Sequence, residues 1–388
     1  MHHFMKTKAQ QEMMEQLDLL IPIFREREAL LDELNSFPEE NINDLKKIGY
    51  HLLTLPEADG GKGMGLYSFV LMQEKIAQGC GSTALSIGWH LGNTLEYRER
   101  RHWNPKAAPW LCKEIQQGAL VNSAITERNA GSPTRGAKPQ TTASLSGDQW
   151  IITGEKTYTS MAPAVDYFFV SATIVSSGEI ARFIVPKKAE GVSIRETWDS
   201  VAMRGTASHD LVMNEVKIPK HFLLENLSLE TKQLAKGWSL HIPACYLGIA
   251  GAARDYAISF AGSFEPTSLG KPIATLPNIR QAIGEIELKL QSARHVLYSA
   301  ASLYEEGNDD EFIQDQLDVA KVMITNTAID VVDKAMRIVG ARALSQSNQM
   351  HRYYLNVRAG ISNPPMEDLV FMKLAKKALE GREGGEKG

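Results

Sequence analysis

GEKTYTSMAP, Gly154 to Pro163, sits where a β-strand is expected, yet its alternate positions carry an aromatic ring and a hydroxyl. A strand over an ordinary core would carry Val, Ile or Leu there. Period-two alternation sends Lys156, Tyr158 and Ser160 to one side. A strand presenting Tyr158 and Ser160 together is expected to lie against something amphipathic.

The surroundings of this stretch share its character. VNSAIT from Val121, TTASLSGDQWIITGEKTYTS, DYFFVSATIV, ARFIVPK, VSIRETW and HDLVMNEVKIP alternate, are rich in β-branched and aromatic residues, and are separated by Gly, Pro, Asn and Asp. Residues 121–227 are therefore read as a β domain. On either side the period changes to three or four. Residues 1–120 read as helical, broken by the glycine-rich loop LPEADGGKGMG, and SFPEE at Ser36 to Glu40 looks like a helix start with acids where the dipole favours them. Residues 228–388 contain the long helical stretches IRQAIGEIELKLQSARHVLYSAASLYEE and QLDVAKVMITNTAIDVVDKAMRIVG, which are expected to pack side by side. The fold class is α+β multidomain, in the order helical, β, helical.

With 388 residues, 43% hydrophobic and 23% charged, the chain supports a large core and more than one domain. A net charge of −4 with interspersed signs speaks against a nucleic-acid surface. No apolar run approaches the roughly 20 residues that cross a bilayer, and MHHFMKTKAQQEMMEQL lacks the apolar middle of a secretory signal, so no membrane insertion and a cytoplasmic location are expected. Cys80, Cys112 and Cys245 form no CxxC pair and are expected as buried free thiols, with no metal site.

AITERNAGSPT, Ala124 to Thr134, and ITGEKTYTS, Ile152 to Ser160, belong together, and with VAMRGTASHDLVMNEVKIPKHFLL and LPEADGG they resemble four motifs of the acyl-CoA dehydrogenase family in the family's order. The resemblance covers nearly the whole chain. It implies an N-terminal helical domain, a central antiparallel β-barrel-like domain and a C-terminal four-helix bundle. It also implies a flavoprotein: FAD, with FMN as the alternative. A flavin ring is flat and apolar on its faces and polar along one edge, so it needs a packing partner and hydrogen bonds. Tyr158 matches the family's aromatic position beside the ring, Ser160 the hydroxyl near its N5 edge, and Ile125 and Thr126 the contacts to the pyrimidine side. Gly131 and Ser132 match the segment near the pyrophosphate. At the adenine end the chain departs: Gly340 survives from a glycine pair, and Pro277 stands where a glutamine is expected.

The resemblance implies oxidation of an acyl-CoA by hydride transfer to flavin N5, an electron acceptor, and self-association as a homotetramer or homodimer. The apolar stripe of QLDVAKVMITNTAIDVVDKAM fits self-association and equally an intramolecular core. The catalytic base is unassigned, because Asn363-Pro364-Pro365 replaces the family's Tyr-Glu-Gly and no acid stands near Trp238. Glu367 and Asp368 follow shortly afterwards and are the candidate substitutes for that base; their other reading is that they cap or solvate the next helix. RAGISNPP resembles instead a branch of flavin-dependent monooxygenases served by a separate flavin reductase. For that branch His90, Ser362 and Asn363 are the pocket candidates, although a helix histidine between Trp89 and Leu91 also reads as a packed core residue. A third reading is a catalytically silent flavin-binding scaffold.

Overall fold

The computed structural model describes residues 2–34, 36–128, 138–227, 235–307 and 310–383, and the fold is given for these. Five helices come first: α1 (Lys8–Leu34), α2 (Glu39–Lys47), α3 (Leu66–Ala77), α4 (Gly81–Arg100) and α5 (Ala108–Gln116). Helix α2 starts after Pro38, with Glu39 and Glu40 in its first turn and Lys46 and Lys47 in its last, so its charges oppose the macrodipole at both ends. Helix α3 is buried almost all round. Its fully buried Glu74 is answered from across the molecule by Arg294 Nε at 2.8 Å and Tyr298 OH at 2.5 Å.

Eight strands follow: β1 (Val121–Ala124), β2 (Thr142–Ser146), β3 (Gln149–Thr159), β4 (Tyr167–Ile174), β5 (Ile180–Pro186), β6 (Val192–Arg195), β7 (His209–Pro219) and β8 (Leu223–Asn226). They form one sheet in the order β6-β7-β3-β2-β4-β5-β8, with β1 on β4. The sheet is mixed, where the sequence suggested an antiparallel one: β1 and β2 both run parallel to β4. Alternation reports which face of a strand is buried but not the direction of its neighbour.

The C-terminal part holds α6 (His241–Ser263), α7 (Pro277–Glu305), α8 (Asp310–Val339) and α9 (Gln349–Ser362) as a packed bundle. A fifth helix, α10 (Glu367–Glu383), lies along α8. Lys373 reaches Asp315 and Asp318 of α8 at 2.9 and 2.8 Å. Helix α6 is apolar on nearly all sides because α3, α4, α8 and α9 all pack on it. The α8 stripe of Leu317, Ala320, Ile324, Ala328 and Val331 is buried within the chain; exposed apolar side chains of the helices here include Ile258 on α6, Leu288 on α7, Phe312 on α8, Ile361 on α9 and Phe371, Met372 and Leu379 on α10. Among the described residues no helix is long and apolar enough to cross a membrane.

Helix α4 joins the three parts through two faces at helical spacing. Gly81, Gly88 and Gly92 form a small-residue seam against α6 and the turn before it: a Cβ on Gly81 would meet Ile249, one on Gly88 would overlap His241, and one on Gly92 would lie 3.3 Å from Trp238. The adjacent face, Ser82 to Asn93, meets the sheet. Asn93 Oδ1 accepts from Ser123 Oγ at 2.7 Å on β1, and Gly205 packs on Ser82.

Candidate functional site

The expected strand exists, but it does not run regularly. In the pairing of β3 with β7, Lys156 faces Leu211 and Thr159 faces His209, so Thr157 and Tyr158 together oppose the single residue Asp210. This β-bulge breaks the alternation. Lys156, Tyr158 and Ser160 therefore do not share one face: Lys156 is completely buried, whereas the Tyr158 side is 65% exposed at a backbone φ of +56°.

Lys156 forms a buried ion pair with Glu127 at 2.6 Å. Glu127 also accepts from Gln140 N–H at 2.6 Å and from the N–H and hydroxyl of Thr141 at 3.0 and 2.7 Å. Burial opposes ionisation of this carboxyl, but Lys156 and the three further donors outweigh it and hold Glu127 below the usual carboxylate range. The pair pins the segment after β1 behind β3. Lys156 Nζ also lies 3.4 Å from the Ile125 carbonyl, and Thr157 N–H donates to the Thr126 carbonyl at 2.8 Å. Ile125 and Thr126 thus arrive beside Tyr158, half-buried.

Ser160 lies just past the strand and belongs to a chain of hydroxyls. Its Oγ is 2.8 Å from Ser208 Oγ, which is 2.8 Å from Thr206 Oγ1, which donates to the Met203 carbonyl at 2.9 Å. Asn122 Nδ2 donates to the Ser160 carbonyl at 2.7 Å, and Met161 N–H donates to the Thr206 carbonyl at 2.8 Å. Thr206, Ser208, Asn122 and the Glu127–Lys156 pair were not singled out from sequence. The only hint of Thr206 and Ser208 was their presence in VAMRGTASHD, whose pairing with Ser160 is a tertiary contact.

Four non-glycine residues with left-handed backbone gather here: Tyr158, Met161, Met203 and Ala207, with φ of +56°, +64°, +53° and +43°. Each costs on the order of 1 kcal/mol or more, and such strain collects where a binding site is shaped.

The wall opposite Tyr158 is supplied by Trp198, whose ring stands edge-on at 6.2 Å and 87°. His209 Nδ1 accepts the N–H groups of both Thr197 and Trp198 at 3.1 Å, which requires that nitrogen to be unprotonated; burial lowers the His209 pKa accordingly. Asn122 Oδ1 and Thr159 Oγ1 are buried without a partner. An exposed aromatic face beside a line of hydroxyls and two unspent buried polar atoms fits a planar ring that is apolar on its faces and polar on one edge. Among the described residues no group of His, Cys, Asp and Glu could hold a metal ion.

The remaining sequence candidates fall elsewhere. Gly131 and Ser132 lie outside the described residues. Gly340 is exposed, and its left-handed φ of +71° ends α8 at open surface. His90 is fully buried, with Nε2 2.9 Å from the His51 carbonyl and Nδ1 accepting Val121 N–H at 3.0 Å. Both nitrogens are spent tying α4 to β1, and burial drives its pKa down to about 3. The pocket assignment of His90 is therefore corrected to the packed-core alternative.

Ser362 ends α9, exposed, and Asn363 Oδ1 accepts from the Tyr246 hydroxyl of α6. Two turns earlier on the same face of α9, Asn356 Oδ1 accepts Met203 N–H at 2.7 Å, so Asn363 stands about 10 Å along the helix from the Met203 turn. Glu367 sits in the first turn of α10 and accepts from Asn326 Nδ2 at 2.8 Å, the position of a helix-start acid.

Comparison with known proteins places this arrangement. Models of the acyl-CoA dehydrogenase N-terminal, middle and C-terminal domains match residues 10–97, 122–216 and 240–360. The putative acyl-CoA dehydrogenase YdbM of Bacillus subtilis is 45% identical over 377 residues, 97% of this chain and 99% of that one. Butyryl-CoA dehydrogenase from Megasphaera elsdenii shares the fold with a TM-score of 0.86 at 21% identity, covering 97% and 99% of the two chains. FMN-bound TdsC from Paenibacillus sp. A11-2 shares it with a TM-score of 0.85 at 20% identity, covering 95% and 97%. The chain belongs to the acyl-CoA dehydrogenase family of flavin oxidoreductases.

Proposed function

We propose that this chain is an FAD-dependent oxidoreductase that removes two hydrogens from the Cα–Cβ bond of an acyl-CoA. The observation that carries this reading is the exposed ring of Tyr158 on strained backbone beside the Ser160–Ser208–Thr206 hydroxyl chain. When bound, the flavin would supply the two-electron acceptor for a hydride from the β-carbon, the α-hydrogen leaving as a proton to a base. Tyr158 and Trp198 would pack its ring, Ser160 would hydrogen-bond its polar edge, and Ile125 and Thr126 would flank its pyrimidine side. Gly131 and Ser132 are proposed at the pyrophosphate, and Gly340 near the adenine end, on the resemblance alone. FMN is the alternative cofactor. The electrons pass to a separate acceptor, and the exposed apolar side chains of α7 and α10 support self-association as a homodimer or homotetramer.

Anaerobic titration of the flavin-loaded protein with acyl-CoAs of graded length tests the reading. Loss of the flavin's visible absorbance with at least one ester is the expected result. A panel that leaves the spectrum unchanged refutes it.

A second reading is favoured by one observation: the turn after α9 presents Asn363, tied to Tyr246, where a dehydrogenase needs a proton-accepting carboxylate. A monooxygenase supplied with reduced flavin by a reductase needs no such base. Product formation that requires both oxygen and added reduced flavin selects this reading. Failure in both assays leaves a flavin-binding scaffold.

A further inference from the structure

One face of α4 carries Ser82, Ser86, Trp89 and Asn93 at helical spacing. Both ends of this stripe are docked on the sheet side: Gly205 packs against Ser82, and Ser123 donates to Asn93. Between the docked ends, Ser86 Oγ and Trp89 Nε1 are buried and have no hydrogen-bond partner. Beside Trp89 stands His241, the first residue of α6, fully buried and with neither ring nitrogen bonded. Trp89 meets its ring edge-on at 4.7 Å, Phe69 stacks on it at 5.8 Å, and Trp238 lies at 6.4 Å. Gly88 gives the imidazole its room.

A buried polar group left unpaired costs about 1–3 kcal/mol, and native interiors hold few of them. Here Trp89 and His241, their rings 4.7 Å apart, bring such groups together where α4 meets α6. Burial drives the His241 pKa down to about 3, so its ring is neutral and offers one donor and one acceptor. Trp89 offers a donor. The rings around the corner carry no charge to answer a carboxylate. A neutral hydroxyl, which both donates and accepts, suits both.

We propose that this corner binds a hydroxyl at the far end of the substrate's acyl group, so that the preferred substrate is a hydroxylated acyl thioester rather than its plain counterpart. The hydroxyl oxygen accepts from Trp89 Nε1–H, and its O–H donates a hydrogen bond to the unprotonated nitrogen of His241. The half-buried rings of Trp89 and Trp238 form the approach. This inference rests on the acyl-CoA reading given above.

The test uses the flavin-loaded protein and two matched pairs: hexanoyl-CoA with 6-hydroxyhexanoyl-CoA, and 3-phenylpropanoyl-CoA with 3-(4-hydroxyphenyl)propanoyl-CoA. A site built to bond a hydroxyl discriminates strongly against the analogue lacking it, so in at least one pair kcat/KM for the hydroxylated ester exceeds the other by about tenfold or more. His241→Phe and, independently, Trp89→Phe, which keeps an aromatic ring but removes the N–H with the five-membered ring, move that ratio toward 1, chiefly through KM. Equal use of both members of each pair, or a ratio unaltered in the folded variants, overturns the inference. If plain esters reduce the flavin and hydroxylated ones do not, the inference alone falls. If no ester does, the acyl-CoA reading falls and takes the inference with it.

Discussion

Lys156 and Tyr158 are two residues apart on one strand and live in opposite surroundings: the lysine is sealed inside against Glu127, and the tyrosine stands out from the sheet. The bulge opposite Asp210 causes the reversal, and the buried pair behind it keeps the bulge in place. The exposed ring is thus anchored by a charge that no solvent reaches.

Removing one partner of that anchor leaves the other charged and unpaired. Lys156→Met is expected to lower folding stability by about 3–5 kcal/mol. Glu127→Gln combined with Lys156→Met is expected to recover part of the loss, because no unpaired charge remains. Urea midpoints of the three proteins check this, and a single variant as stable as wild type contradicts the anchoring role.

Tyr158→Gly separates folding from binding. Glycine accepts the left-handed φ, so stability is expected to stay within about 1 kcal/mol of wild type. Flavin affinity is expected to fall by about tenfold or more, since an aromatic packing surface worth about 1.4 kcal/mol is lost. Equilibrium dialysis with FAD and with FMN measures it. Undiminished binding removes Tyr158 from the site.

Acid should unfold the chain through its buried histidines. His90 and His241, both fully buried, have folded pKa values lowered by burial to about 3, against 6.5 for an ordinary histidine. Their contribution is present above about pH 6.5. It is lost as pH falls from there toward 3, because the unfolded chain binds protons that the folded one refuses. Each adds about 1.4 kcal/mol per pH unit to the slope. Urea midpoints at pH 7.5 and 5.5 should differ accordingly, and less so in His90→Gln; identical midpoints would contradict the assignment.

The glycine seam of α4 gives a paired comparison. Alanine is favoured over glycine in a helix by about 1 kcal/mol. A Cβ on Gly88 nevertheless overlaps His241 and Gln73, while one on Gly92 only crowds Trp238 at 3.3 Å. Gly88→Ala is expected to be destabilised by about 1–3 kcal/mol. Gly92→Ala should lie closer to wild type. Calorimetric melting ranks the two, and the reverse order would show that the seam is not close-packed.

Periodicity and turn chemistry made much of the plan legible: helices before Val121, strands to about Asn226 and helices from His241 onward follow from spacing alone, since both periods are local properties of the chain. The motif around Ile125 and Tyr158 was legible too, and the chain does bring these residues side by side. What the residues could not show is where each side chain ends up. His90 is spent on the backbone of Val121, Ser160 finds Ser208, and Glu127 reaches Lys156, each across 29 to 48 residues. The parallel course of β1 along β4 and the reversal of Tyr158 are likewise set by pairing partners. The amino-acid order by itself determined the sequence of elements and the chemical types available for a site. Tertiary structure alone decided which polar groups satisfy one another and which stay free for a ligand, because hydrogen-bond satisfaction depends on neighbours that the linear chain keeps far apart.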